Sequence, residues 1–121
     1  MKKSLLLLPT LFFLFACSQN IYQSEFDFAN NLAKQGLWKE AHFRWQKCLE
    51  RGEKHASLYN NIAISYEKSG DYEKAEAAYQ KALQLAPGNS FIKSNYDKLK
   101  AYLEYKTEGK KKKKEAEKNE T

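Results

Sequence analysis

Apolar residues recur along this chain at intervals of three and four positions, the spacing of a buried helix face. Phe28, Ala29 and Leu32 make one such stripe, and Trp38, Ala41, Trp45 and Cys48 make the next. Tyr59, Ile62, Ala63 and Tyr66 form a third, and Ala75, Tyr79 and Leu83 a fourth. Phe91, Ile92, Tyr96, Leu99, Tyr102 and Leu103 keep the same spacing in a fifth. The punctuation agrees with this division. Gly70 stands where a helix would end on a C′ glycine, and Asp71 after it is a good N-cap for the helix that follows. Pro87-Gly88 stops that helix, and Asn89-Ser90 is suited to cap another. The pattern predicts an all-α chain.

Sliding the sequence against itself by 34 residues aligns Ala29 with Ala63, Lys34 with Lys68, Gly36 with Gly70, Ala41 with Ala75, Gln46-Lys47 with Gln80-Lys81, and Leu49 with Leu83, with no gap. Similar residues join them, Trp38 with Tyr72 and Trp45 with Tyr79 among others. Residues 22–55 and 56–89 therefore read as two copies of one unit. In the second copy, Tyr59-x2-Ile62-Ala63-x2-Tyr66, then Ala75-x3-Tyr79, then Pro87 resembles the tetratricopeptide (TPR) repeat. Small residues at 63 and 75 suit a close crossing of two antiparallel helices, with the aromatics filling space around it. The first copy departs from the pattern at its ends, where Glu25 replaces an aromatic and Glu53 a proline. The resemblance implies two antiparallel helix-pair repeats, closed by a capping helix over residues 90–105. Two repeats lie near the minimum for stability, so a homo-oligomer remains open.

The N-terminus follows another logic. Lys2 and Lys3 precede the short apolar run Leu5 to Phe15, which is too short to span a membrane as a helix. It ends in Leu14-Phe15-Ala16-Cys17, which resembles the lipobox of bacterial lipoproteins, although Phe15 is bulkier than that motif usually carries. The resemblance implies a lipoprotein signal peptide over residues 1–16, diacylglycerol on the thiol of Cys17, and a lipid-anchored linker over 17–21. Ser18 lacks the aspartate that often retains lipoproteins on the inner membrane, so the expected location is the outer membrane of a bacterial envelope. The alternative is an ordinary secretory signal cleaved elsewhere. So short a linker would hold the first repeat against the bilayer.

Charge changes the picture only at the C-terminus. Residues 17–105 carry 12 basic and 11 acidic side chains, whereas residues 106–121 carry seven lysines and four glutamates. Gly109 and the run Lys110, Lys111, Lys112, Lys113 and Lys114 lie in that tail, whose composition cannot bury a core and reads as disordered. It is a solvated tail or a contact for anionic lipid, lipopolysaccharide or wall polymer. An exported chain has little occasion to meet nucleic acid.

No catalytic constellation is present in the sequence, which has two cysteines and two histidines and no phosphate-binding loop. Cys48 aligns with Ala82 and reads as a small core residue, and no cofactor or metal is expected. The TPR resemblance implies instead a groove lined by the first helix of each repeat, which holds a peptide or a partner helix. Phe26, Asn30 and Lys34 from one copy, and Asn60, Asn61, Ile64 and Lys68 from the other, are the candidate groove residues. Asn30 and Asn61 match asparagines of carboxylate-binding TPR domains. Phe26, Phe91 and Asn95 stand where those domains have basic residues, so no carboxylate clamp is predicted. The sequence thus suggests a non-catalytic, envelope-anchored adaptor, or alternatively a surface protein that binds polyanions through its lysines.

Overall fold

A computed structural model of the chain describes residues 25–119, which contain five helices and no strand. Helix α1 occupies residues 25–34, α2 Trp38–Glu50, α3 Ala56–Ser69, α4 Tyr72–Leu85 and α5 Ser90–Asn119. The expected signal segment, Cys17 and the expected linker lie outside the described residues. The chain divides into two compact units, Met1–Lys54 and His55–Thr121, so α1 and α2 belong to the first and α3, α4 and α5 to the second.

In the first unit, Ala29, Ala41, Trp45 and Cys48 form the buried core. The Trp45 indole N–H donates to Asn30 Oδ1 at 3.1 Å, which satisfies the polar edge of a ring that is only 2% exposed. Glu25, the departure from the repeat pattern, proves to be an ion-pair centre. Its carboxylate meets Arg44 at 3.0 Å and Arg51 at 3.9 Å, tying α1 to α2 and to the end of α2. The second copy has Tyr59 and Ala78 at the register positions of Glu25 and Arg44, so both members of the pair differ together.

In the second unit, α4 packs against both α3 and α5. Leu58, Ile62 and Ala63 of α3, Ala75, Ala78, Tyr79 and Ala82 of α4, and Ile92 and Leu99 of α5 are buried. The rings of Tyr79 and Tyr96 stack at 5.9 Å between centroids. The Tyr96 hydroxyl donates to Glu76 Oε1 at 2.7 Å and accepts from Gln80 at 3.0 Å.

The helix ends repeat as faithfully as the cores. Gly36 and Gly70 both adopt φ of +80°, a left-handed conformation that side chains with a Cβ enter at a cost. After Gly70, the Asp71 N–H donates to the Tyr66 carbonyl and the Gly70 N–H to the Glu67 carbonyl, each at 3.0 Å, the paired bonds of a Schellman stop. Leu37 and Gly36 make the same two bonds to Leu32 and Ala33. Asp71 then caps α4, accepting from the Lys74 N–H at 3.4 Å, and Asn89 caps α5, accepting from the Ile92 N–H at 3.1 Å. At the end of α2, the Glu53 N–H donates to the Cys48 carbonyl at 3.1 Å. Proline has no such N–H, which accounts for glutamate at a position the repeat pattern reserves for proline.

Two features bear on where the array stops. The positions of α5 that match Tyr59, Ala63 and Tyr66 of α3 are Lys93, Asp97 and Lys100. These three form an ion-pair ladder, with Asp97 meeting Lys93 at 3.0 Å and Lys100 at 2.9 Å, and both lysines lower the pKa of Asp97. A stripe of charge has replaced the face that, in α3, receives a second helix. The other feature is length. The capping helix expected to end at residue 105 runs to Asn119, through the segment expected to be disordered. From Glu104 to Lys118 every side chain is exposed, so the continuation buries no core. Its helical form rests on the propensity of Lys, Glu and Ala and on pairs such as Lys111 with Glu115 at i,i+4 spacing.

Gly70→Ala is expected to destabilise the protein by about 1–2 kcal/mol, lowering the thermal midpoint by several degrees. Gly88→Ala, where φ is not positive and no atom lies within 4 Å of an added Cβ, is expected to change it little. Thermal denaturation followed by circular dichroism checks the pair, and equal midpoints for both variants would contradict the role given to Gly70.

Candidate functional site

The second unit carries an open cleft of about 480 Å³, lined by Ile64, Glu67 and Lys68 of α3, Tyr72 and Tyr79 of α4, and Asn95, Lys98 and Tyr102 of α5. Its geometry follows from the packing. Because α4 lies against both α3 and α5, the N-terminal turn of α4 forms the floor and the two flanking helices form the walls. Ile64 supplies apolar surface. The Tyr72 and Tyr102 rings, 5.2 Å apart, join through their hydroxyls at 3.2 Å, a bond that raises the pKa of Tyr72. The ammonium of Lys106 lies over both rings, 4.9 Å from Tyr72 and 5.8 Å from Tyr102. The Tyr79 hydroxyl donates to the Glu67 carboxylate. Lys68 and Lys98 are exposed at the cleft.

Of the expected groove residues, Ile64 and Lys68 line this cleft. Asn60 does not serve as a surface contact. It is 3% exposed, donates to Asn61 Oδ1 at 3.2 Å and accepts from Asn95 Nδ2 at 3.1 Å, so its amide ties α3 to α5. A buried amide must find such partners or bear the cost of desolvation. Asn61 is half-buried beside it. Phe26, Asn30 and Lys34 lie on α1 in the first unit, and the side chain of Asn30 is occupied with the Trp45 indole. Lys110 to Lys114 are exposed on α5. Sequence reasoning missed Tyr72, Lys98 and Tyr102, although Lys98 and Tyr102 stand one turn apart on the predicted closing helix and were legible there as a pair.

The cleft contains no arrangement of nucleophile and base. Among the described residues, no group of His, Cys, Asp and Glu side chains is placed to hold a metal ion, and no helix is long and apolar enough to cross a membrane. Cys48 is a core residue. Burial pushes its thiol up to about 12 from 9.0, and its hydrogen bond to the Glu53 carboxylate adds to the shift, so the reactive thiolate is suppressed at neutral pH.

Residues 56–89 match the model of the tetratricopeptide repeat family. That segment is a tetratricopeptide repeat. The chain is also similar to sperm-associated antigen 1 of Rattus norvegicus, at 31% identity over 78 residues, covering 64% of this chain and 8% of that protein. It is 33% identical over 73 residues to the protein of the same name from Homo sapiens, covering 60% of this chain and 8% of the relative. The chain thus spans under a tenth of the length of these relatives. A TPR unit is typically a non-catalytic module for protein–protein interaction.

The burial of Cys48 and Tyr79 makes the fold sensitive to alkali. Both pKa values are raised in the folded protein, chiefly by desolvation and then by a carboxylate neighbour, so the folded state holds these protons more tightly than the unfolded chain. The stability that these protons contribute is complete below pH 9 and declines as pH rises from there toward 12. Urea denaturation at pH 7.5 and 10.5 is expected to differ by about 1–2 kcal/mol through Cys48 alone. Cys48→Ala, which installs the residue found at Ala82, is expected to narrow that difference, and an unchanged difference would contradict the assignment.

Proposed function

We propose that the protein is a small bacterial TPR lipoprotein, a non-catalytic adaptor anchored in the cell envelope through acylated Cys17. The second unit would hold a partner peptide or helix in its cleft. The observation that carries the binding role is the cleft itself. It presents Ile64 and the edges of Tyr72 and Tyr102 beside two exposed lysines, on walls locked together by the Asn60–Asn95 hydrogen bond. A preformed apolar surface with a few polar groups at its edge suits recognition of a partner segment with both apolar and acidic residues. Envelope anchoring rests on the lipobox-like residues 14–17, and the adaptor role on the TPR match.

The lysine run is the alternative binding element. Five consecutive residues on a helix, about 100° apart, surround its axis completely. Lys110 to Lys114 therefore offer no apolar face for insertion, only a salt-sensitive attraction to polyanions. Affinity capture from cross-linked envelopes separates the two readings. A partner captured by the mature chain is expected to persist when the chain ends at Lys106 and to fall about tenfold, on the order of 1.4 kcal/mol, in Ile64→Glu. Loss on truncation, with no effect of Ile64→Glu, would move function to the lysines.

A further inference from the structure

From Thr107 to Lys118 the last helix buries nothing, and its composition is narrow. Ala116 is its only hydrophobic side chain, no aromatic residue follows Tyr105, and both arginines of the chain, Arg44 and Arg51, lie in the first unit. Lysines elsewhere on the helices close on a carboxylate three or four residues away, Lys47 on Glu50 at 2.9 Å, Lys93 on Asp97 at 3.0 Å and Lys100 on Asp97 at 2.9 Å. Among the described residues, Lys110 to Lys114 close no ion pair of that kind. Glu108, Glu115 and Glu117 favour the helix by proximity, but the run also sets like charges at neighbouring positions on the helix surface. Lys110 with Lys114 is an i,i+4 pair, and Lys110 with Lys113 and Lys111 with Lys114 are i,i+3 pairs, each of which repels. Five positive charges thus occupy about 6 Å of helix axis. One charge per ~1.5 Å is close to the ~1.7 Å of a nucleic acid duplex, so the run carries the charge density of a polyelectrolyte.

We propose that Lys110 to Lys114 form a binding site for a flexible linear phosphate polymer, which winds around the helix. The proposal rests on the lysine run as a binding element and is independent of the cleft and of the anchor. The azimuths select a flexible chain over a flat surface. At about 100° per residue, Lys110, Lys113 and Lys114 fall on one side of the helix, and Lys111 and Lys112 on the other. A bilayer meets three of these charges at most, whereas a chain that wraps the axis meets all five. Without an apolar face there is also nothing to enter a membrane. Without aromatic rings there is no platform of the kind that stacks the bases of single-stranded nucleic acid. Without arginine there is no planar fork, so recognition is by charge density, to which each lysine contributes a compact point charge. A base-free chain with an anionic phosphate in every repeat meets these conditions, and inorganic polyphosphate and poly(glycerol phosphate) are two sources of that chemistry. Binding neutralises the repelling lysines and firms the helix that carries them.

Fluorescence anisotropy tests the site, with end-labelled inorganic polyphosphate and, separately, a labelled poly(glycerol phosphate) oligomer titrated with the full chain at several salt concentrations. Each contact with a flexible polyanion contributes about −0.7 to the slope of log affinity against log salt, so five contacts give about −3.5. Lys111→Gln/Lys112→Gln and Lys110→Gln/Lys113→Gln are each expected to weaken binding at least about tenfold and to bring the slope to about −2. Glutamine keeps the helix propensity of lysine, and circular dichroism of each variant checks that it folds. Bound polymer is expected to raise the hydrogen-exchange protection of residues 107–118. Ile64→Glu is expected to leave polymer binding unchanged, which separates this site from the cleft. Binding of one polymer and not the other supports the site and identifies its source. Binding of neither polymer overturns the proposal, as does one double variant that binds as the parent chain does. Tighter binding to phosphatidylglycerol vesicles, or to a single-stranded oligonucleotide of equal charge, also overturns it, and each of these results leaves the cleft reading standing. Loss of polymer binding in Ile64→Glu moves the polymer to the cleft and overturns the site.

Discussion

The constraint on which this molecule depends is the reversal of one helix upon the next within two or three residues. Between α3 and α4 only Gly70 and Asp71 intervene, and between α1 and α2 only residues 35–37. So short a connection forces antiparallel neighbours, and antiparallel neighbours this close need small residues where they cross. Ala29, Ala41, Ala63 and Ala75 are all fully buried. The left-handed glycines make the reversal possible, the alanines make it close, and the aromatic residues Trp45 and Tyr79 fill what remains. Those two rings occupy the same register position, yet their polar tips find different partners, Asn30 for the indole and Glu67 for the phenol. The geometry is repeated while the hydrogen bonding is solved separately in each unit.

This constraint also explains what was legible in the sequence. Residues whose role is local or periodic announced themselves: Gly70 as a stop, Asp71 and Asn89 as caps, the alanines as crossing points, and the all-α class as a whole. Residues whose role depends on a distant partner did not. Glu25 looked like a flaw in the repeat and is half of an ion pair with Arg44, nineteen positions away. Asn60 looked like a groove residue because its stripe was right, but its amide is buried against Asn95, thirty-five positions away. The cleft drew only Ile64 and Lys68 from the expected groove set, because that set was read from the first helix of each repeat, whereas α4 and α5 supply most of the remaining lining. The length of α5 was missed for a different reason. A lysine–glutamate segment that buries nothing reads as disordered by composition, while its intrinsic propensity is helical.

The two units then divide the chemistry between them. The second offers a cleft with apolar, aromatic and cationic parts, built on α4 and the two helices that flank it. The first leaves the rings of Phe28 and Phe43 about half exposed beside ion-paired side chains. The cleft of the second unit is the feature that the proposed adaptor role rests on.

The central claim is that the second unit is one cooperative body whose cleft walls are held in place before any partner arrives. Native-state hydrogen exchange across α5 tests it most directly. The amides of Lys93 to Leu103 are expected to exchange with the same high protection as those of α3 and α4, because Ile92, Leu99 and the Asn60–Asn95 bond anchor that half of the helix. Protection is expected to drop sharply beyond Leu103, where no side chain is buried. Low protection along the whole of α5, with α3 and α4 still protected, would show that the cleft lacks a fixed second wall and would contradict the account.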